Sequence, residues 1–187
     1  MVGFESDVVA KWLRHNGADR NMELVESFSF VDGNNTLWHV PAGSIVNGAS
    51  IPSILWSFGS PFVGDYRRAS VVHDHFCNTK DREWRATHRM FHEGCLVDGV
   101  SALKAKLMYA VVYAGGPRWE ATSYDLRVLT NSGLESISPG DKITILPQVR
   151  PEVSELLISW VLDNDPSLAE IEARVDNTVE NFSTFRD

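Results

Sequence analysis

The apolar positions of this chain change period along its length, and each change marks an element. Over residues 6–15, Val8, Val9, Trp12 and Leu13 recur at helical spacing and Asn16-Gly17 follows, which predicts a short N-terminal helix. The period then drops to two. Phe28-Ser29-Phe30-Val31 and Thr36-Leu37-Trp38-His39-Val40 flank Asp32-Gly33-Asn34-Asn35, the pattern of a β-hairpin, and Ser44-Ile45-Val46 suits a third short strand. Gly48-Ala49-Ser50-Ile51-Pro52 is a small-residue loop that lets the backbone bend sharply or approach a ligand, and residues 52–56 predict a helical turn.

Helical spacing returns three times. Residues 66–76 place Ala69, Val72, His73 and Phe76 on one face. A second helix runs from Asp81 as N-cap to Glu93, with Gly94 as its stop and Trp84, His88, Phe91 and His92 as its stripe. A third runs from Ser101 to Gly115-Gly116-Pro117 with Leu103, Leu107, Ala110 or Val111, and Ala114 inward. After Trp119 the signal weakens to one strand, residues 142–146. Pro151 opens an amphipathic helix with Val153, Leu156, Leu157, Trp160 and Val161 inward, and Asp165-Pro166 opens another with Leu168, Ile171, Val175 and Val179 inward. The expected fold is α+β: a small antiparallel N-terminal hairpin or sheet packed on a helical core that carries a His-Asp motif, with C-terminal amphipathic helices. Residues 1–133 are expected to form one domain holding the site. Residues 134–187 form a helical extension, packed on that domain or used for homo-oligomerisation, with packing the plainer role.

Composition narrows the functional classes. The 187 residues, 43% hydrophobic and 22% charged, are enough for a sizeable core without staples. A net charge of -8 argues against bulk binding to nucleic acid. A small phosphorylated ligand remains possible, because Arg67, Arg68, Lys80, Arg82, Arg85 and Arg89 crowd the middle of the chain while the acids gather after Pro151. Cys77 and Cys95 have no paired zinc spacing and form no disulfide framework, so a reducing compartment is expected. The N-terminal residues do not read as a signal peptide and no stretch is apolar enough for a membrane span, which points to the cytoplasm.

The candidate chemistry lies in the histidines. His88 and His92 are one turn apart on one helix, a spacing at which two imidazoles share a divalent ion. His73 lies on the apolar face of the preceding helix, and the short connection makes the two helices antiparallel neighbours. His73, His88 and His92 are therefore the expected ligands, with zinc the favoured ion and manganese the alternative. Asp74 or Glu93 would be the base for a metal-activated water, and Arg85 would hold an anionic substrate oxygen. The plainer reading makes each histidine a satisfied core residue, and Cys77, four residues after His73 and so placed to be a soft ligand, reads rather as a small buried hydrophobe. Trp84 and Trp119 read as core or pocket wall, and His15 and His39 as surface.

An ordered series of motifs adds to this: Gly48-Ala49-Ser50-Ile51-Pro52, Trp56, Ser60-Pro61-Phe62 and Val72-His73-Asp74, then Arg85, His88, Phe91, Met108-Tyr109, Val112, Gly115 and Trp119. Over residues 36–119 the chain resembles a family of small uncharacterised proteins common in bacteriophages and prophages. The resemblance implies a phage or prophage origin, hence the infected host's cytoplasm or the virion, and supplies no activity. It departs from the family's pattern at Asn47 and His88, where the family usually has Asp. A His in place of Asp fits a metal ligand and equally a hydrogen bond to His73.

Three classes of function follow. The first is a metal-dependent hydrolase. It acts on a phosphoester such as a small signalling nucleotide, in counter-defence, or on a peptidoglycan peptide or amide bond in lysis or at the tail. In it Ser50, Trp56 and Arg85 contact the substrate. The His-Asp dipeptide also resembles that of HD-type phosphohydrolases, with His39 and Asp125 as loose candidates for the rest of their pattern. The second is a non-catalytic protein that sequesters a small ligand, and the third is a structural phage component.

Overall fold

The computed structural model of the chain describes residues 1–13, 21–47, 64–121, 126–130, 133–138, 140–145 and 151–183. The architecture is α+β: small antiparallel sheets lie in the N-terminal part, followed by helices that continue to the C-terminal region. Strands β1 (Gly3–Phe4), β4 (Phe28–Val31) and β5 (Leu37–Val40) form one sheet in the order β1-β4-β5. Strands β2 (Ala10–Trp12), β3 (Met22–Leu24) and β6 (Ile45–Val46) form another, in the order β2-β3-β6. The expected N-terminal helix is thus a strand over Ala10–Trp12. Its backbone pairs with β3, Ala10 opposite Leu24 and Trp12 opposite Met22, and a cross-strand ladder outweighs weak local helical spacing.

The hairpin forms as its sequence predicts, with Phe28 opposite Val40 and Phe30 opposite Trp38. Asp32 organises its turn. Its carboxylate accepts from the amides of Asn34 (2.9 Å) and Thr36 (2.8 Å) and from Trp38 Nε1 (2.9 Å), while Asn35 takes the left-handed conformation at φ 61°. Phe28, Phe30, Trp38 and Val40 then pack with Val71, Val72, Phe76 and Met90 of the helices.

Helices α1 (Arg67–Thr79), α2 (Trp84–Val97) and α3 (Ala102–Gly115) build the centre. Burial on α1 extends well beyond the expected stripe to Ser70, Val71, Asp74 and Cys77, because α1 is packed between the sheets and α2. Helix α2 begins three residues after Asp81, and Glu83 holds the N-cap position without a side-chain cap. Just before the helix, the Arg82 carbonyl accepts from Trp119 Nε1 at 2.7 Å. Gly94 lies inside α2 rather than after it. A Cβ there would sit 2.9 Å from Ala69 Cβ and 3.2 Å from Phe4, so the glycine lets α1 and α2 approach closely.

Strands β7 (Arg118–Ala121) and β10 (Lys142–Ile145) pair, and β8 (Leu126–Thr130) and β9 (Gly133–Ile137) form a hairpin that crosses the expected boundary at residue 133. Helices α4 (Pro151–Asn164) and α5 (Leu168–Ser183) pack on α3. The inward residues of α4 are Ser154, Leu157 and Val161, whereas Leu156 is 68% exposed, and α5 buries Ile171 and Val175. Leu103, expected inside, is exposed at the start of α3, and burial runs instead from Leu107 to Ala114. No helix among the described residues is long and apolar enough to cross a membrane.

Candidate metal centre

The side chains of His73, Cys77 and His88 converge at the α1–α2 interface. They form the group of metal-ligand type among the described residues, with one ligand atom of each within 4.8 Å of the others. His73 Nε2 and His88 Nδ1 are hydrogen bonded at 2.8 Å. Cys77 Sγ lies one turn further along α1, 3.6 Å from His73 Nε2 and 3.8 Å from its Nδ1. Both rings are fully buried. Phe91 packs on His73 with ring centroids 5.0 Å apart, and Trp84 meets His88 edge-on at 5.5 Å.

The surroundings keep this cluster neutral. Burial holds His73 down to about 3, and burial first, then the neighbouring His73 and Arg118, holds His88 well below its ordinary value. Neutral imidazole is the ligating form. Nε2 of His88 is buried without a hydrogen-bond partner among the described residues, although the Pro117 backbone exerts a weak pull toward protonation. It points at Gly116, where a Cβ would stand 3.2 Å from both Nε2 and Cε1 of His88 and would also collide with the Val112 carbonyl. The glycine thus lets the chain leave α3 directly beside this ring.

The donor set suits zinc in kind and nearly in size. Zinc–nitrogen distances of about 2.0–2.1 Å and zinc–sulfur distances of about 2.3 Å give tetrahedral edges of about 3.3 Å between nitrogens and about 3.6 Å from nitrogen to sulfur. The separation between Cys77 Sγ and His73 Nε2 already equals 3.6 Å, whereas the nitrogen–nitrogen separation of 2.8 Å must widen by about half an ångström, and Cys77 Sγ and His88 lie within 4.8 Å of each other.

The other expected site residues are not part of this ligand group. His92, the expected third ligand, does not join the group. Its ring meets Tyr109 at 5.7 Å, and burial, aided by Lys106, holds it down to about 4. Two residues one turn apart on a helix diverge when one faces α1 and the other α3. Glu93 is turned to the hairpin, accepting from the Gly33 amide at 2.5 Å, with burial raising its pKa. Asp74 is buried and its Oδ2 accepts from the Asn47 amide at 2.7 Å, at the end of β6. Arg85 is half exposed, lies over Trp84 at 4.3 Å and donates from Nε to the Tyr113 hydroxyl at 3.1 Å. His39, on β5, is exposed and bonds Ser29 Oγ at 2.9 Å. Ser50, Trp56, His15 and Asp125 lie outside the described residues, as does the predicted turn at 52–56. Cys77 is the ligand-type residue that sequence reasoning undervalued. Its signal was the four-residue spacing from His73.

Residues 22–112 match a family described as "Protein of unknown function (DUF1353)", and they contain His73, Cys77 and His88. An uncharacterized protein of Sinorhizobium fredii, y4jT, is 51% identical over 98 residues, covering 52% of this chain and 29% of its own length. A second from the same organism, y4iH, is 43% identical over 97 residues, covering 51% of this chain and 41% of its own. The matched stretch thus spans well under half of either relative. No solved structure matches.

Proposed function

We propose that this chain is a metal-dependent hydrolase whose ion is held by His73, Cys77 and His88, with a phosphoester as the favoured substrate class. The observation that carries this reading is the meeting of two imidazoles and a thiol, from two different helices, at one buried point. Cys77 sharpens the choice of ion, because a thiolate beside two imidazoles favours zinc over manganese, magnesium or calcium. Three protein ligands would leave one position open, and a zinc held there would supply the chemistry of a water whose pKa is lowered toward ~7. Asp74, adjacent to His73 on α1, takes the proton in this reading, and the Asn47 amide fixes its carboxylate. Arg85 holds an anionic oxygen of the substrate. The alternative substrate, a peptide or amide bond of peptidoglycan, uses the same ion. Phage or prophage origin, a counter-defence role and a cytoplasmic place of action belong to this reading and rest on the motif resemblance.

Elemental analysis of the purified protein tests it. We expect about one zinc per chain, lost in His73→Ala, Cys77→Ser and His88→Ala and kept in His92→Ala, together with hydrolysis of members of a panel of cyclic dinucleotides. Protein free of metal under all loading conditions removes the reading. One observation favours a second role. The direct 2.8 Å bond between His73 and His88 is a buried polar contact that fixes α1 against α2 without any ion. In that case the chain sequesters a ligand or scaffolds a partner, and tight binding of panel members without turnover would be found.

A further inference from the structure

Three helices present matched pairs one turn apart. Arg85 and Arg89 stand on α2, Tyr109 and Tyr113 on α3, and Glu172 and Asp176 on α5. They meet as two rungs. In one, Arg89 grips Glu172 with both ends of its guanidinium, Nε to Oε1 at 2.7 Å and Nη2 to Oε2 at 2.6 Å, and the Tyr109 hydroxyl donates to Oε1 at 2.5 Å. In the other, the Tyr113 hydroxyl bonds both oxygens of Asp176 at 3.0 and 3.2 Å, and Arg85 Nη2 reaches Oδ2 at 3.4 Å. A forked guanidinium with a hydroxyl beside it is a receptor for carboxylate or phosphate oxygens.

We propose that Arg85, Arg89, Tyr109 and Tyr113 form a two-headed oxyanion site on α2 and α3, which Glu172 and Asp176 of α5 occupy in place of a ligand. That ligand carries two anionic groups separated by roughly the 6 Å between successive turns of a helix face.

Four observations support the assignment. Arg85, Arg89 and Tyr109 lie in the stretch matched to the family and Tyr113 follows it by one residue, whereas α5 lies far outside it. The arginine side chains keep 50% and 55% of their surface exposed, so a dissolved anion reaches them. Ile171 and Val175 anchor α5 by apolar burial, so its acids are not its sole attachment. The tyrosines also back onto the histidines, with Tyr113 6.5 Å from His88 and Tyr109 5.7 Å from His92 between ring centroids. A ligand gripped by the Arg85–Tyr113 rung therefore lies one aromatic ring away from His88 of the His73–Cys77–His88 cluster. The oxyanion site stands on this geometry alone. Its use as a substrate anchor rests on the hydrolase reading.

Titration calorimetry of the full chain with inorganic phosphate and with glutarate tests the site. In Glu172→Gln/Asp176→Asn the internal competitor is gone, and we expect binding about tenfold tighter than in wild type or better. Adding Arg89→Gln should abolish the gain. In wild type, phosphate should speed amide hydrogen exchange within α5, a readout that needs no variant to fold. A preference for phosphate identifies a phosphoester, and a preference for glutarate a carboxylate ligand. No tightening in the double variant, or no change in α5 exchange if that variant fails to fold, would show that the rungs merely fasten α5. Tighter phosphate binding in a protein that never takes up zinc would keep this site and remove the hydrolase.

Discussion

Helix α2 carries two polar constellations on adjacent faces, and they solve opposite problems. His88 faces inward, fully buried, and meets His73 as one neutral ring against another. Arg85 and Arg89 face the edge, keep contact with water, and meet carboxylates and hydroxyls. A group that can shed its charge enters the core at the cost of its basicity, while a guanidinium cannot shed it and stays where partners and solvent share the work. The inner set therefore has the chemistry to exchange a proton for an ion, as proposed above, and the outer set has the chemistry proposed above for anions.

The largest effect that can break this comparison comes from His88→Ala. It removes a buried ring, leaves His73 without its partner and opens a cavity. We expect a loss of about 2–4 kcal/mol in the metal-free protein, read by denaturant unfolding, on top of the loss of zinc. Arg85→Ala, at the edge, should cost well under half as much. Equal losses would mean that the two faces do not differ as described.

Gly94→Ala comes next. Alanine raises helix propensity by about 1 kcal/mol, but its Cβ would meet Ala69 at 2.9 Å on the facing helix. We expect a net destabilisation of about 1–3 kcal/mol from forcing α1 and α2 apart. A gain in melting temperature would show that the interface gives way freely.

Acid sharpens the comparison. His92 is held down to about 4, below the ordinary value of about 6.5, so the unfolded chain takes up its proton first. Its contribution is whole above pH ~6.5 and is lost as the pH falls toward ~4. His92→Gln should flatten the stability profile of metal-free protein across that window, as followed by thermal melts. An unaltered profile would mean that the ring is not desolvated.

The outer rung should respond more weakly, and to salt. Burial tends to raise Glu172, and the bonds from Arg89 and Tyr109 outweigh it and lower its pKa. Because Arg89 is half exposed, Arg89→Ala should cost only about 1 kcal/mol, with the loss shrinking in high salt. The smallest effect belongs to Glu93→Gln. It keeps an acceptor for the Gly33 amide and should shift stability by about 0.5 kcal/mol or less, with zinc content unchanged.

Much of this was written locally. The hairpin around Asp32 was legible because its turn is made by residues a few positions apart. The pairing of His73 with the helix of His88 followed from helical spacing and a short connection. The strand at Ala10–Trp12 was not legible, because its partner β3 overrides the local period. Nor was the divergence of His92 from His88, since a stripe of buried residues wide enough to face two neighbours does not say which neighbour each residue meets.

The chain's own order of residues determined the hairpin, the helical spans of the centre and the concentration of arginines on α2. Tertiary structure decided that Cys77 rather than His92 completes the inner group, that Gly94 and Gly116 are contact points, and that acids more than eighty residues downstream answer Arg85 and Arg89. The reason is range. Dihedral preference and side-chain period act over a turn or two of chain, whereas burial and ion pairing depend on which surfaces meet, and that is fixed only when the whole core closes.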